Sequence, residues 1–195
     1  MGQDPSLRYY AEGFFEAGEE LAQSCLANRG KVDFKFYPLL FLYRHGIELA
    51  LKQLIRWQAE FSGTALKPGQ PKGHDNLALW AMIDQTCECF FEDGLHQPDF
   101  PFQVAYSVEE VSAILEDIET LAAGGFGFRY PKNIAGEVLL ADTDSLCVKT
   151  VNDTLVPLGR TLDAWMHAAR DVVEAVQYGR RERKQAESAA GRELP

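Results

Sequence analysis

Three things are scarce in this chain of 195 residues. No run approaches the roughly 20 apolar residues that a membrane-spanning helix needs, and no basic segment followed by an apolar one opens the sequence. The expectation is a cytoplasmic protein with no membrane partner. Cysteine is limited to four positions, Cys25, Cys87, Cys89 and Cys147. One residue rather than two separates Cys87 from Cys89, so the pair lacks the spacing of a zinc knuckle or a redox motif. All four read as reduced, small apolar residues, and neither a metal nor another cofactor is expected. Positive charge is short as well: 19 Lys plus Arg against 29 Asp plus Glu give a formal charge of -10. That balance repels phosphate backbones unless basic residues cluster, which removes indiscriminate nucleic-acid binding as a default.

What the chain has in quantity is apolar residues at helical spacing. Hydrophobic residues make up 46% of it, enough for one domain with a real core. Asp4 and Pro5 read as the cap and first turn of a helix that Asn28, Arg29 and Gly30 stop. A second helix is expected from Pro38 to about Phe61. A loop from Gly63 to Gly73 follows, and a third helix starts near Asp75 and carries Leu77, Trp80, Ile83, Cys87 and Phe91. Ser107 and Glu110 form a capping box for a fourth, whose apolar face is Val108, Val111, Leu115, Ile118 and Leu121. Val138–Ala141 and Leu146–Val151 read as two short strands. The last helix is expected from Asn152 or Thr154, with the stripe Leu155, Leu158, Leu162, Trp165, Ala169, Val172 and Val176 alternating three and four. The fold class is therefore all-α: an antiparallel bundle of about five helices, with a small irregular or two-stranded insert before the last. Residues 1–180 read as one domain and 181–195 as a polar, fraying tail.

The second helix carries the chemistry. In projection Leu39, Tyr43, Ile47, Ala50 and Leu54 share one side, and His45, Glu48 and Lys52 line up on another, flanked by Phe41 and Ile55. Arg44 lies one turn before Glu48 and can pair with it. A solvated stripe is the plain reading of such a pattern. The apolar flanks favour a polar strip inside a cleft or a subunit interface. Asp75 is explained as a helix cap, and His74 beside it is placed to face the same strip.

The run Tyr43-Arg-His-Gly-Ile-Glu-Leu-Ala-Leu-Lys-Gln-Leu-Ile55, followed by Gly73-His-Asp75 and a Leu-rich helix, resembles the HEPN superfamily. These are small antiparallel helical bundles of bacterial defence, toxin and nucleotide-linked systems. The Phe128-Arg-Tyr-Pro131 element is similar to one in an uncharacterised bacterial branch of it. The resemblance spans roughly residues 5 to 180. It implies a dimer, and in many members a metal-independent ribonuclease marked by Arg, four to six residues, then His. In such chemistry His moves the proton of the ribose 2′-OH and Arg stabilises the phosphorane. This chain departs from that pattern, because no His follows Arg129. A formal match stands at Arg160 and His167, where two residues seven apart share a helix side by geometry alone; it is read as coincidence on an outer face.

Three functions follow as expectations. The first is a non-catalytic or degenerate HEPN-like protein acting as a homodimer or partner subunit in a defence, toxin–antitoxin or stress system. The second is a metal-independent endoribonuclease using Arg129, His45 or His74 in an unusual site, or else Arg160 and His167. The third is a nucleotide or small-ligand module lined by His45, Glu48, Lys52, His74 and Arg129, with Arg44 and Asp75 as further ligand-binding candidates and Tyr130 stacking on a base.

Overall fold

The structure is a computed structural model, and it describes residues 6–28, 32–67, 70–84, 104–122 and 147–190. Among these the chain is all-helical: α1 (Leu7–Ala27), α2 (Val32–Ser62), α3 (Asn76–Asp84), α4 (Val108–Ala122) and α5 (Val148–Ala190). No helix of the described residues is long and apolar enough to cross a membrane. The expected strand at Val138–Ala141, and the Arg129 and Tyr130 positions, lie outside the described residues, as do Asp4, Pro5, Cys87 and Cys89.

Helix α2 is the hub. It packs on α1, α3 and α5, while α1 also meets α5 and α3 meets α4. Its 31 residues are buried around most of their circumference: Leu39, Tyr43, Ile47, Ala50, Leu51 and Leu54 all sit in the core, and so does Ile55 on the polar side. The stripe of α5 is buried in the order the spacing implies, through Leu155, Leu158, Leu162, Trp165 and Ala169. Trp165 stacks on Trp80 of α3, with ring centres 5.8 Å apart. Trp80 Nε1–H donates to Ser112 Oγ of α4 at 2.8 Å, so one indole ties three helices. Tyr43 O–H donates to Asn152 Oδ1 at 2.9 Å and joins α2 to α5.

Several element boundaries differ from those expected. Ser6, not Asp4, caps α1, its hydroxyl accepting from the Arg8 N–H. Gln53 Oε1 of α2 takes the Leu7 N–H at 2.9 Å, satisfying another donor that a helix start leaves open. Helix α2 begins at Val32, six residues before Pro38, which lies inside it. Proline removes one N–H and crowds the carbonyl four residues back. Val32 and Phe36 nevertheless pack against the core and hold the preceding turns. Val148–Val151 are the first turn of α5 rather than part of a strand. The β-branched Val148, Thr150 and Val151 carry a strand-like composition, but Val148, Val151, Leu155 and Leu158 lie along one helix face against the core. At its far end α5 continues to Ala190, with every side chain from Arg180 to Ser188 exposed. Arg180 donates to the Glu60 and Phe61 carbonyls at the end of α2, and the Arg, Glu, Lys, Gln and Ala residues after it are of types that favour helix. The capping box of α4 is formed as expected: Ser107 N–H donates to Glu110 Oε2 at 2.8 Å, and Glu110 N–H donates to Ser107 Oγ at 3.2 Å.

Candidate functional site

The polar strip of α2 is neither solvated nor set in an open cleft. Glu48 is 1% exposed and Arg44 3%, because the turn that opens α3 and one face of α4 close over them. Glu48 is the centre of the knot. Lys52 Nζ–H donates to its Oε1 at 2.7 Å, and His74 Nδ1 lies 2.9 Å from the same oxygen. On the other oxygen, His45 Nδ1 stands at 3.7 Å and Arg44 at 3.9 Å, both longer than hydrogen bonds. Arg44 takes Glu119 of α4 as its main partner, at 2.9 Å, and also donates to the His74 carbonyl. Asn76 Nδ2–H donates to the Arg44 carbonyl at 3.4 Å. The i, i+4 pairing of Arg44 with Glu48 is thus the weaker of the two ion pairs Arg44 makes.

The electrostatics follow from this arrangement. Burial alone would push the Glu48 carboxyl up. The contacts from His45, Lys52 and His74, together with the Lys52 charge, outweigh burial and hold it well below the usual carboxylate range. Glu48 is therefore held in its anionic form at neutral pH. An ionised carboxylate only accepts hydrogen bonds, so the His74 Nδ1 facing it is placed to donate. His45 is clamped between two aromatic rings, Phe14 edge-on at 4.5 Å and Phe41 stacked at 5.6 Å. His74 differs from its neighbours: its side chain is 64% exposed. Asp75 does what a cap does, its Oδ1 accepting the Ala78 N–H at 3.0 Å. It is exposed.

The structure thus brings together Arg44, His45, Glu48, Lys52 and His74 and leaves Asp75 at the rim. Sequence reasoning missed Glu119 and Asn76. Glu119 had a legible signal: it falls four residues after Leu115 and eight after Val111, on the apolar face of α4, where an acid must find a partner. Asn76 follows Asp75 at a helix start and has no comparable signal.

Arg160 and His167 do not lie on a bare outer face. Helix α1 runs beside them, and a cavity of about 250 Å³ between α1 and α5 is lined by Glu12, Phe15, Glu19, Gly159, Arg160 and Asp163 among others. The approach depends on Gly159, where a Cβ would meet the Phe15 ring at 2.8 Å. Arg160 is 61% exposed and reaches Glu19 only at 4.0 Å. His167 Nε2 lies 3.7 Å from Asp163 Oδ2. Burial, reinforced by Arg8, pushes the His167 imidazole toward its neutral form. Burial also raises the Glu12 carboxyl, with Arg8 opposing and Asp163 adding to it. Of the cysteines, Cys25 is buried and Cys147 exposed, both as free thiols.

No protein-family model, curated protein or solved structure matches this chain.

Proposed function

We propose that the chain is an antiparallel HEPN-like bundle with a small insert before α5. It works without catalysis of its own, as a homodimer or partner subunit in a bacterial defence, toxin–antitoxin or stress system. One observation carries the non-catalytic reading. Arg44 and Lys52 of α2 are committed to buried partners: they balance Glu119 of α4 and Glu48 of α2 inside the fold. A buried network of this kind fixes one packing arrangement at little net gain in stability. Recognition then falls to the surface. Leu26, Phe34 and Tyr37 are 46%, 85% and 46% exposed at the corner where α1 gives way to α2, and apolar groups gathered at one corner suit a partner surface. Light scattering on the purified chain tests the dimer. A mass near twice 21.8 kDa, returned to the monomer value by Phe34→Glu, supports it. A mass of 21.8 kDa across the micromolar range contradicts it.

A second reading, a metal-independent endoribonuclease, is favoured by His74 alone. Its ring is exposed while the buried Glu48 orients it through Nδ1, the arrangement a general base requires. Cleavage of an RNA strand but not of its 2′-deoxy counterpart, lost in His74→Gln, would select this reading over the first.

A further inference from the structure

A second ionisable cluster sits between α1 and α5 and shares no residue with the Glu48 knot. Asp163 and His167 are four apart on α5, one above the other on a single face, and Glu12 reaches them from α1. One donor atom of each, two carboxylate oxygens and an imidazole nitrogen, lies within 4.8 Å of the others. Both carboxylates already converge on a single cation. Arg8 Nε–H donates to Asp163 Oδ1 at 3.1 Å, and its terminal nitrogen lies 2.5 Å from Glu12 Oε1. The same Glu12 and Asp163 form part of the wall of the 250 Å³ cavity, so the cluster has access to solvent on that side.

We propose that Glu12, Asp163 and His167 form a binding site for a divalent first-row transition-metal ion, with Arg8 as the exchangeable cation that otherwise neutralises the carboxylates. Metal–nitrogen and metal–oxygen bonds of about 2.0–2.2 Å place donors about 3–3.5 Å apart. The 3.7 Å between His167 Nε2 and Asp163 Oδ2 is a side-chain adjustment away from that. Two carboxylates with one imidazole suit Mn²⁺ or Zn²⁺, whereas Mg²⁺ prefers oxygen donors alone. Two negative charges match the ion's two positive ones. The hold on Arg8 does not rest on the carboxylates alone: in the same position its guanidinium carbon is 5.6 Å from the centre of the Tyr9 ring, which is 68% exposed, and a cation over an aromatic face retains part of its stabilisation. Three protein ligands leave coordination positions free toward the cavity, where Arg160 lines the wall and would meet an anion carried by the metal.

The test uses the full chain stripped with chelator and then titrated with MnCl₂ or ZnCl₂, read by calorimetry and by thermal melting. At about 100-fold excess over the dissociation constant the melting temperature rises by about 5–10 °C. Glu12→Gln and His167→Gln lower the affinity at least about tenfold. Arg8→Met, which removes the competing cation and keeps the aliphatic stem, raises it by about the same factor. Far-UV circular dichroism confirms that each variant is folded. No heat and no melting shift with either metal, in both the wild type and Arg8→Met, overturns the proposal. So does binding that survives His167→Gln, or binding of MgCl₂ as tight as that of MnCl₂. These readouts involve no RNA and no partner, so they stand apart from the function proposed above.

Discussion

Replacing Glu48 with Gln keeps the shape of the side chain and removes its charge. The substitution leaves Lys52 without the anionic charge 2.7 Å from it, and His74 faces an amide instead of a carboxylate. Arg44 keeps Glu119 at 2.9 Å, so it is not orphaned. Removing one member of a buried pair costs about 3–5 kcal/mol, most of it from the charge left behind. Lys52 is 14% exposed, and its ammonium can turn toward water on its aliphatic stem. The cost therefore falls at the lower end, about 3 kcal/mol. With a urea slope of about 2–3 kcal/mol per molar, the midpoint drops by about 1–1.5 M at pH 7. The pH dependence gives a second signature. The folded Glu48 carboxyl is depressed below its ordinary 4.5, so its contribution is fully present above pH 4.5. It is lost as the pH falls from there toward the depressed folded value. The gap between wild type and Glu48→Gln should shrink steadily under acid. A midpoint within about 0.2 M of wild type at pH 7, or a gap as wide at pH 3 as at pH 7, would refute the view that Glu48 is the anionic centre of the knot.

Three further outcomes are expected. Gly159→Ala drives a methyl into the Phe15 ring at 2.8 Å and should cost about 1–3 kcal/mol in urea unfolding through overpacking. Ser107→Ala removes one half of the α4 capping box and should cost about 1 kcal/mol by the same measurement. Tyr43→Phe leaves Asn152 Oδ1 without its hydroxyl donor and should cost about 1 kcal/mol at neutral pH. Burial, with Glu19 adding, raises the Tyr43 phenol above its ordinary 10. The tyrosine's contribution is therefore whole below pH 10 and declines above it, where the unfolded chain ionises first; the difference between Tyr43→Phe and wild type should narrow on titration to pH 11.

Much of the fold was legible because it rests on periodicity. The stripes of α2 and α5 and the Ser107–Glu110 box lie where spacing places them, and each is a local signal that packing reinforces. Boundaries were less legible where two local signals compete. Pro38 looks like a helix start, yet Val32 and Phe36 gain burial by extending the helix before it. Val148 to Val151 look like strand, yet on a helix they continue the buried face of α5. At the site, the members within α2 could be read from one helical projection. Their partners could not, because the pairing of Arg44 with Glu119 spans 75 residues and depends on how α4 lies over α2. The groove between α1 and α5 was illegible for the same reason: Gly159 reads as a neutral helix residue until Phe15 is seen against it.

The central claim is that the ionisable groups of α2 fasten the fold and do not turn over a substrate. Incubating the chelator-treated protein with total cellular RNA at equimolar concentration, and resolving the products by gel, addresses it directly. Unchanged RNA after hours is the predicted result. Chelator-resistant fragments that disappear in His74→Gln, a variant that removes the one exposed imidazole of the knot, would contradict it.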